Sequence, residues 1–582
     1  VIYQLVVRHF GNENLSRIKD GTLEQNGVGK FADINEAAAA MLVQSGVTHV
    51  WLTGVLRQAT MTDWSSVDPG LGADDPDIVK GRAGSFYAIR DYFDVCPDYA
   101  VDPANRMVEF EALVERLHQA GLKVMLDLVP NHVARSYGSV VKPELDFGKG
   151  DDTSAFFSPQ NSYFYLTQPQ GKPLKLRRPA GWNPPGIVFD GLFDREDGAP
   201  GRPPRVTGNN VLSAEPSEND WYETIKLNFG FNFADPASSS FDPRPPVWDR
   251  MDAILAYWQA RGVDGFRCDF AHFVPLQAWS WLIAQAKQRD PQALVIAEAY
   301  ENLEGLLSSG FDAVYNDPAY DLLKEIYQGK RTLDDLDGML RDLGNGQRHR
   351  YLHYLENHDE RRIASPVVLQ GGADSSGFGS TRAGRQLAPL LYLGTSGPVL
   401  VYNGQEVGED GSGEEGFGGD DGKTTLFDYW ALPGLAALHN GGAWDGGKLS
   451  PAQTSLRAYY RDLLALVQDP AVRGEGYWGL RYANGQAPGM FPLARFAPGA
   501  GRLLLVVANF QPGSSLQSTV KLPAELLGAA GLSAGGTARL VLDEGGAQQK
   551  ELGSFSAQEL SGGGIPVNVP DQAAHVLLLT AP

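Results

Sequence analysis

Three apolar runs in this chain each end in a carboxylate: GVDGFRCDFAHF at 262–273 with Asp269, ALVIAEAY at 293–300 with Glu298, and RYLHYLENHDE at 350–360 with Asp359. The first also carries Arg267 two residues before Asp269, and side chains two apart in a strand share a face. Charged groups are rarely buried without a partner or a task. Two carboxyl groups facing one space suit acetal hydrolysis, in which one attacks the anomeric carbon and the other protonates the leaving oxygen. The guanidinium of Arg267 is expected to hold Asp269 as an anion, while crowding by Asp269 and Asp359 keeps a proton on Glu298. A separation of roughly 5 Å would accompany retention of configuration. Each piece also has a plain reading. Arg267 and Asp269 could be a structural ion pair, Glu298 a solvated strand end, NHD a loop tripeptide, and DLVPNHV a strand exit with a surface histidine. Their shared place at successive strand ends favours a common site.

The elements that must deliver these groups repeat in a simple cadence of amphipathic helix, glycine and apolar strand. NEAAAAMLVQSG leads into VTHVWLTG, EFEALVERLHQAG into LKVMLDLVP, and WDRMDAILAYWQARG into VDGFRCDF. Gly46, Gly121 and Gly262 fall where a left-handed helix cap is wanted. With VIYQLVV, ALVIAEAY, FDAVYND, RYLHYLEN and GPVLVYNG, the count of near-continuous apolar strands reaches eight. The expected fold is α/β, a (β/α)8 TIM barrel, with an open doubly wound sheet as the alternative. Chemistry in such barrels sits at the C-terminal strand ends. Reading off those ends gives Asp127, Asn131 and His132 on the third strand, Arg267, Asp269 and His272 on the fourth, Glu298 on the fifth, and Asn357, His358 and Asp359 on the seventh.

Two stretches interrupt the cadence. Residues 134–222 are rich in Pro, Gly and aromatics, as in GWNPPGIVFDG, and read as an inserted domain after the third strand. From 472 the pattern becomes β-like runs such as RLLLVVANF, TARLVLDE and HVLLLTAP, which read as a C-terminal antiparallel β-sandwich over 472–582. The barrel is then built from 1–133 and 223–471.

The formal charge of −21 excludes a phosphate-binding surface, so no nucleic-acid partner is expected, and an uncharged ligand suits it better. No apolar run reaches transmembrane length. Cys96 and Cys268 are the only cysteines, and Cys268, inside an apolar strand, reads as a buried free thiol.

Four segments in order, DLVPNHV (127–133), GFRCDFAH (265–272), AEAY (297–300) and ENHDE (356–360), resemble the signature segments of the alpha-amylase family of retaining glycoside hydrolases. TIKLNFG (224–230) resembles the segment closing that family's inserted domain, and GSFYAIRDY (84–92) its sugar-stacking loop. The resemblance implies Asp269 as nucleophile, Glu298 as general acid/base and Asp359 as the residue gripping the reacting sugar. It implies hydrogen bonds to that sugar from Arg267, His132 and His358, stacking by Tyr87, and Asp127 as a structural contact. His272–Phe273 stands where many relatives carry Lys-His, which leaves subsite preference open. Gly84 replaces an Asp typical of alpha-glucosidases and weakly favours endo action. The implied reaction is hydrolysis of α-1,4-linked glucans or maltooligosaccharides, with a transglycosylase or alpha-glucosidase as the alternative and a non-enzymatic binding barrel disfavoured by the intact carboxylates. Structural calcium is implied at Asn131; a second oxygen-rich stretch at 11–27 offers Asn12, Asn14 and Asp20, with an Asx-rich turn as its simpler reading. A polymeric glucan substrate implies a secreted or periplasmic protein.

Overall fold

The apolar runs that read as strands pair side by side and close on themselves. In the computed structural model, which describes residues 1–169, 171–343, 348–366 and 378–582, the strands are β1 (Ile2–Val6), β2 (His49–Thr53), β3 (Lys123–Leu128), β4 (Gly265–Cys268), β5 (Leu294–Ala297), β6 (Ala313–Tyr315), β7 (Tyr351–Leu352) and β8 (Leu400–Tyr402). They form one parallel sheet in the order β7-β6-β5-β4-β3-β2-β1-β8. A parallel bridge between His353 and Val399 joins β7 to β8, with His353 N donating to Pro398 O at 2.9 Å and Leu400 N to His353 O at 2.8 Å. The sheet is therefore a closed barrel, and the open doubly wound alternative is set aside.

Helices sheathe the barrel because their apolar residues recur on one face. Arg106–Gln119 buries Phe110, Leu113, Val114 and Leu117, side chains worth about 1.5–3 kcal/mol each when removed from water. Gly46, Gly121 and Gly262 adopt φ of +78°, +84° and +87°, the left-handed values that end the helices before β2, β3 and β4. Among the described residues no helix is long and apolar enough to cross a membrane.

Register sets the site. Arg267 pairs with Asp127 on one side and Ile296 on the other, and Cys268 pairs with Ala297. Asp269 and Glu298, one residue further along adjacent strands, thus leave the sheet together. Asp269 N still donates to Leu128 O and Glu298 N to Cys268 O, so both backbones stay tied to the ladder.

Between β3 and β4 the chain leaves and returns through a short antiparallel pair, His132–Ala134 with Thr224–Lys226. The excursion it encloses is largely irregular and is pinned by a buried Arg135–Glu196–Arg205 cluster. After the last barrel helix, Pro451–Val467, an antiparallel six-stranded sheet follows: β9 (Gly476–Gly479), β10 (Met490–Phe496), β11 (Arg502–Asn509), β13 (Gly535–Asp543), β14 (Gly546–Ser556) and β16 (Ala574–Thr580). It faces a pair formed by β12 (Leu516–Val520) and β15 (Ile565–Val569). In β11, Leu504, Val506 and Ala508 pack toward the barrel, while Leu503, Leu505 and Val507 face the sandwich's own core. That is why RLLLVVAN is apolar throughout rather than alternating.

Candidate active site

Arg267 lies at the centre, buried to 1% exposure. Its Nη1 donates to Asp269 Oδ1 at 2.7 Å and to Asp127 Oδ1 at 3.3 Å; its Nη2 lies 2.9 Å from Glu298 Oε2; its Nε donates to Tyr315 Oη at 3.2 Å. One guanidinium thus serves three buried carboxylates. Asp127 is held on its far side by Trp51 Nε1 at 3.0 Å, which makes it a support behind the site.

Asp269 Oδ2 is buried and has no hydrogen-bond partner among the described residues. Burial and the nearby Glu298 push the Asp269 carboxyl well above the usual carboxylate range, against the pull of Arg267. The arginine is therefore shared among Asp127, Asp269 and Glu298 rather than devoted to Asp269. Glu298 meanwhile accepts from Phe270 N at 2.8 Å and from Tyr300 Oη at 2.9 Å. Phe270 makes this contact from a left-handed conformation, φ 41° and ψ 48°, which costs an L-residue about 1–2 kcal/mol.

Asp359 stands opposite, 39% exposed at its side chain, with His358 Nε2 2.9 Å from its Oδ2. Partial burial raises its carboxyl, but His358 and Arg267 more than offset this and bring it down to about 2. His358 is fixed by Gln4 Nε2 at 2.8 Å from Nδ1 and by Tyr87 Oη at Nε2. The Tyr87 ring lies 5.3 Å from His358 and 5.4 Å from the Arg267 guanidinium. His132 packs against Trp221 at 5.3 Å, and burial, aided by the Lys226 charge, lowers it to about 3, so the imidazole is neutral. Tyr87, His132, Asp269 and Asp359, with Trp221 and Phe270, line a cavity of 210 Å³, space for roughly seven waters at about 30 Å³ each and comparable with one sugar ring. His272 sits outside it on the rim, near Phe273 and Tyr300.

The residues expected at a metal do not converge on one. Asn131 Oδ1 accepts from Lys226 Nζ, and its Nδ2 donates to Gly208 O at 2.9 Å and contacts His132 Nδ1 at 3.0 Å. Burial brings the Lys226 ammonium down to about 7. A calcium ion would need that oxygen free and would add like charge beside a desolvated ammonium. The residues around Asn131 therefore do not fit calcium; the lysine fills the cation's role. Asn12 and Asn14 spend their side-chain oxygens on Asn14 N and on Ser16 N and Oγ, and Asp20 Oδ1 accepts from Trp182 Nε1. That stretch is the Asx-rich turn, because short side chains bond their own backbone before anything distant. Among the described residues no group of three or more His, Cys, Asp or Glu could hold a metal ion. Cys96 and Cys268 are free and buried.

Gly84 has a backbone reason for its identity. At φ +78°, a Cβ would lie 1.7 Å from Ala59 O, so no aspartate can stand there.

The catalytic-domain model of the alpha amylases matches residues 24–186. Alpha-amylase 3 of Dictyoglomus thermophilum is 23% identical over 401 residues, 65% of this chain and 66% of that protein. The segment 24–186 is thus similar to an alpha-amylase catalytic domain. Maltase 1 of Drosophila virilis is 25% identical over 47% of this chain and 32% of its own length; the matched regions thus span from a third to just under two thirds of these relatives. Among solved structures, an alpha-amylase from Lactobacillus plantarum aligns with 99% of this chain and 98% of its own at TM-score 0.58 and 19% identity. A cyclic alpha-maltosyl-(1→6)-maltose hydrolase from Arthrobacter globiformis does so over 99% and 98% at 0.59 and 17%. These structures share the fold of barrel and C-terminal sheets.

Sequence reasoning missed Phe270, Tyr300, Trp221, Tyr315 and Lys226. Tyr300 was within reach, since it stands two residues after Glu298 in AEAY. Lys226 could have been flagged as a lone charge inside TIKLNFG. The left-handed backbone of Phe270 leaves no mark in sequence.

Proposed function

We propose that the protein is a retaining glycoside hydrolase acting on α-1,4-linked glucans or maltooligosaccharides. The observation that carries this reading is Arg267 spanning Asp269 and Glu298 through its two terminal nitrogens, at 2.7 and 2.9 Å, with Asp269 Oδ2 unpartnered among the described residues. A single guanidinium tethering both carboxylates favours the close spacing of retaining enzymes over the wider gap that admits a water in inverting ones.

In this reading a glucosyl ring fills the 210 Å³ cavity, gripped by Asp359, His358 and His132 and lying on Tyr87. Positive charge developing at its C1 favours the ionised form of Asp269 and leaves the pair's proton on Glu298, which faces the leaving oxygen. Asp269 Oδ2 bonds to C1 as the C1–O bond breaks, and Glu298 protonates the departing sugar. Glu298 then takes a proton from water, the water oxygen bonds to C1, and Asp269 is released with the α configuration restored. Tyr300 and the Phe270 N–H are positioning groups that hold the acid in place.

The rim of Trp221, Phe270, Phe273 and Tyr300 supports a second reading, transfer to another sugar. Aromatic faces there would bind an acceptor and keep water away. A timed maltoheptaose digest tests both. Hydrolysis yields only products shorter than the substrate, longer products indicate transfer, and an untouched substrate removes both readings.

A further inference from the structure

A second cavity, of 460 Å³ and sharing no lining residue with the one at the barrel mouth, lies in the seam between the barrel helices and the C-terminal sheet. Its size falls within the ~300–1,000 Å³ usual for ligand sites. The floor is formed by the buried Gln386, from the helix Thr381–Gly394, beside Asn509 at the end of β11, whose own carboxamide is spent on Ser514 O, Val569 O, Pro570 O and Gln511 N. Gln386, 3% exposed, donates through Nε2 to Asn509 O, while its Oε1 is buried without a partner among the described residues. Such an acceptor is costly to leave unmet, and a ligand hydroxyl would meet it.

The walls are the half-buried rings of Tyr327 and Phe510. Gln572 Nε2 donates to Tyr327 Oη at 3.1 Å, and Gln572 holds a left-handed backbone, φ 51°, a strain that folds retain at sites of use. Exposed Gln511 stands at the rim. Arg331 and Asp571 bring opposite charges to the edge, so no net charge selects an ion. Aromatic faces beside the unmet Gln386 oxygen, with the exposed Gln511 amide at the rim, match the C–H faces and hydroxyls of a neutral saccharide.

We propose that this seam cavity is a second, non-catalytic saccharide site holding a segment of the glucan whose other segment enters the barrel mouth. The identity of the sugar rests on the hydrolase reading above. Linking two sites on one polymer raises the effective concentration of the substrate at the mouth without new contacts there.

Two readouts on the full chain test this: adsorption to insoluble starch, and kcat/KM on 4-nitrophenyl α-maltotrioside, which is too short to reach the seam. Phe510→Ala is expected to weaken adsorption at least 5-fold and to leave the short-substrate constant within 2-fold. Gln511→Ala, on the exposed rim, guards against a folding defect and is expected to weaken adsorption about 2-fold. A parent that does not adsorb, or variants that adsorb like the parent while maltotrioside activity persists, overturn the second site. A parent that cleaves no maltotrioside yet loses starch adsorption in Phe510→Ala overturns the hydrolase reading and leaves the second site standing.

Discussion

Arg135 and Arg267 are both buried against carboxylates, at 0% and 1% exposure, and their surroundings differ in one respect that matters. In the inserted region two guanidinia enclose one carboxylate: Arg135 Nη1 and Arg205 Nη2 each lie 2.7 Å from Glu196. Burial alone would raise the Glu196 carboxyl, but the two arginines reverse this and hold it below the ordinary range. At the barrel mouth one guanidinium is divided among Asp127, Asp269 and Glu298, and burial keeps both Asp127 and Asp269 above the ordinary range. The first cluster is rich in positive charge and useful for holding a strand-poor region together. The second is short of positive charge, and in the proposed reaction a sugar carbon on the way to an oxocarbenium ion would supply what it lacks. Burial of an arginine therefore says little about role. The ratio of charges around it says more.

Substitutions at the two clusters should separate along that line. Asp269→Asn is expected to cut kcat on maltooligosaccharides by roughly 10⁴-fold or more, while the denaturation midpoint stays equal or rises because a crowded carboxylate is gone. A lowered midpoint would place Asp269 with the structural cluster. Glu196→Gln should do the reverse, costing about 3–5 kcal/mol in urea unfolding by stranding two buried guanidinia, with kcat of the folded fraction nearly unchanged. A smaller change is expected from Tyr300→Phe. Loss of the hydroxyl that holds the Glu298 carboxyl in place is expected to lower kcat about 3- to 10-fold with KM little changed; an unchanged kcat would leave Tyr300 with a packing role only.

The smallest effect concerns Glu409, which burial pushes up to about 7, with Leu435 N donating to it at 2.7 Å. Its folded value exceeds its unfolded one, near 4.5. Its contribution is therefore complete below pH 4.5 and lost as pH rises toward and through 7. Glu409→Gln should flatten the pH dependence of urea stability across that window, by on the order of a kcal/mol. An unchanged slope would assign the window to other groups.

The barrel was legible because parallel strands covered by helices must be apolar on both faces, and β1 to β8 announce themselves that way. The C-terminal sheet was legible at β11, β13 and β16, its buried strands. The edge strand β14, GAQQKELGSFS, is largely exposed along its length and carries no apolar signal. Asp269, Glu298 and Arg267 meet because strand register is set by those same apolar runs. That Arg267 is shared could not be read from the sequence, because Nη2 reaching Glu298 is a distance that spacing within one strand cannot give. The calcium expectation at Asn131 failed for a similar reason: Lys226 is 95 positions away and meets Asn131 only through the Thr224–Lys226 pairing.

The most direct measurement is covalent trapping. Incubation with an activated 5-fluoro-α-glucosyl fluoride, followed by proteolysis and mass spectrometry, should find one glycosyl group on the peptide containing Asp269 and none in Asp269→Asn. A glycosyl group on another side chain, or turnover of the reagent to a β-configured product without any adduct, would contradict the account.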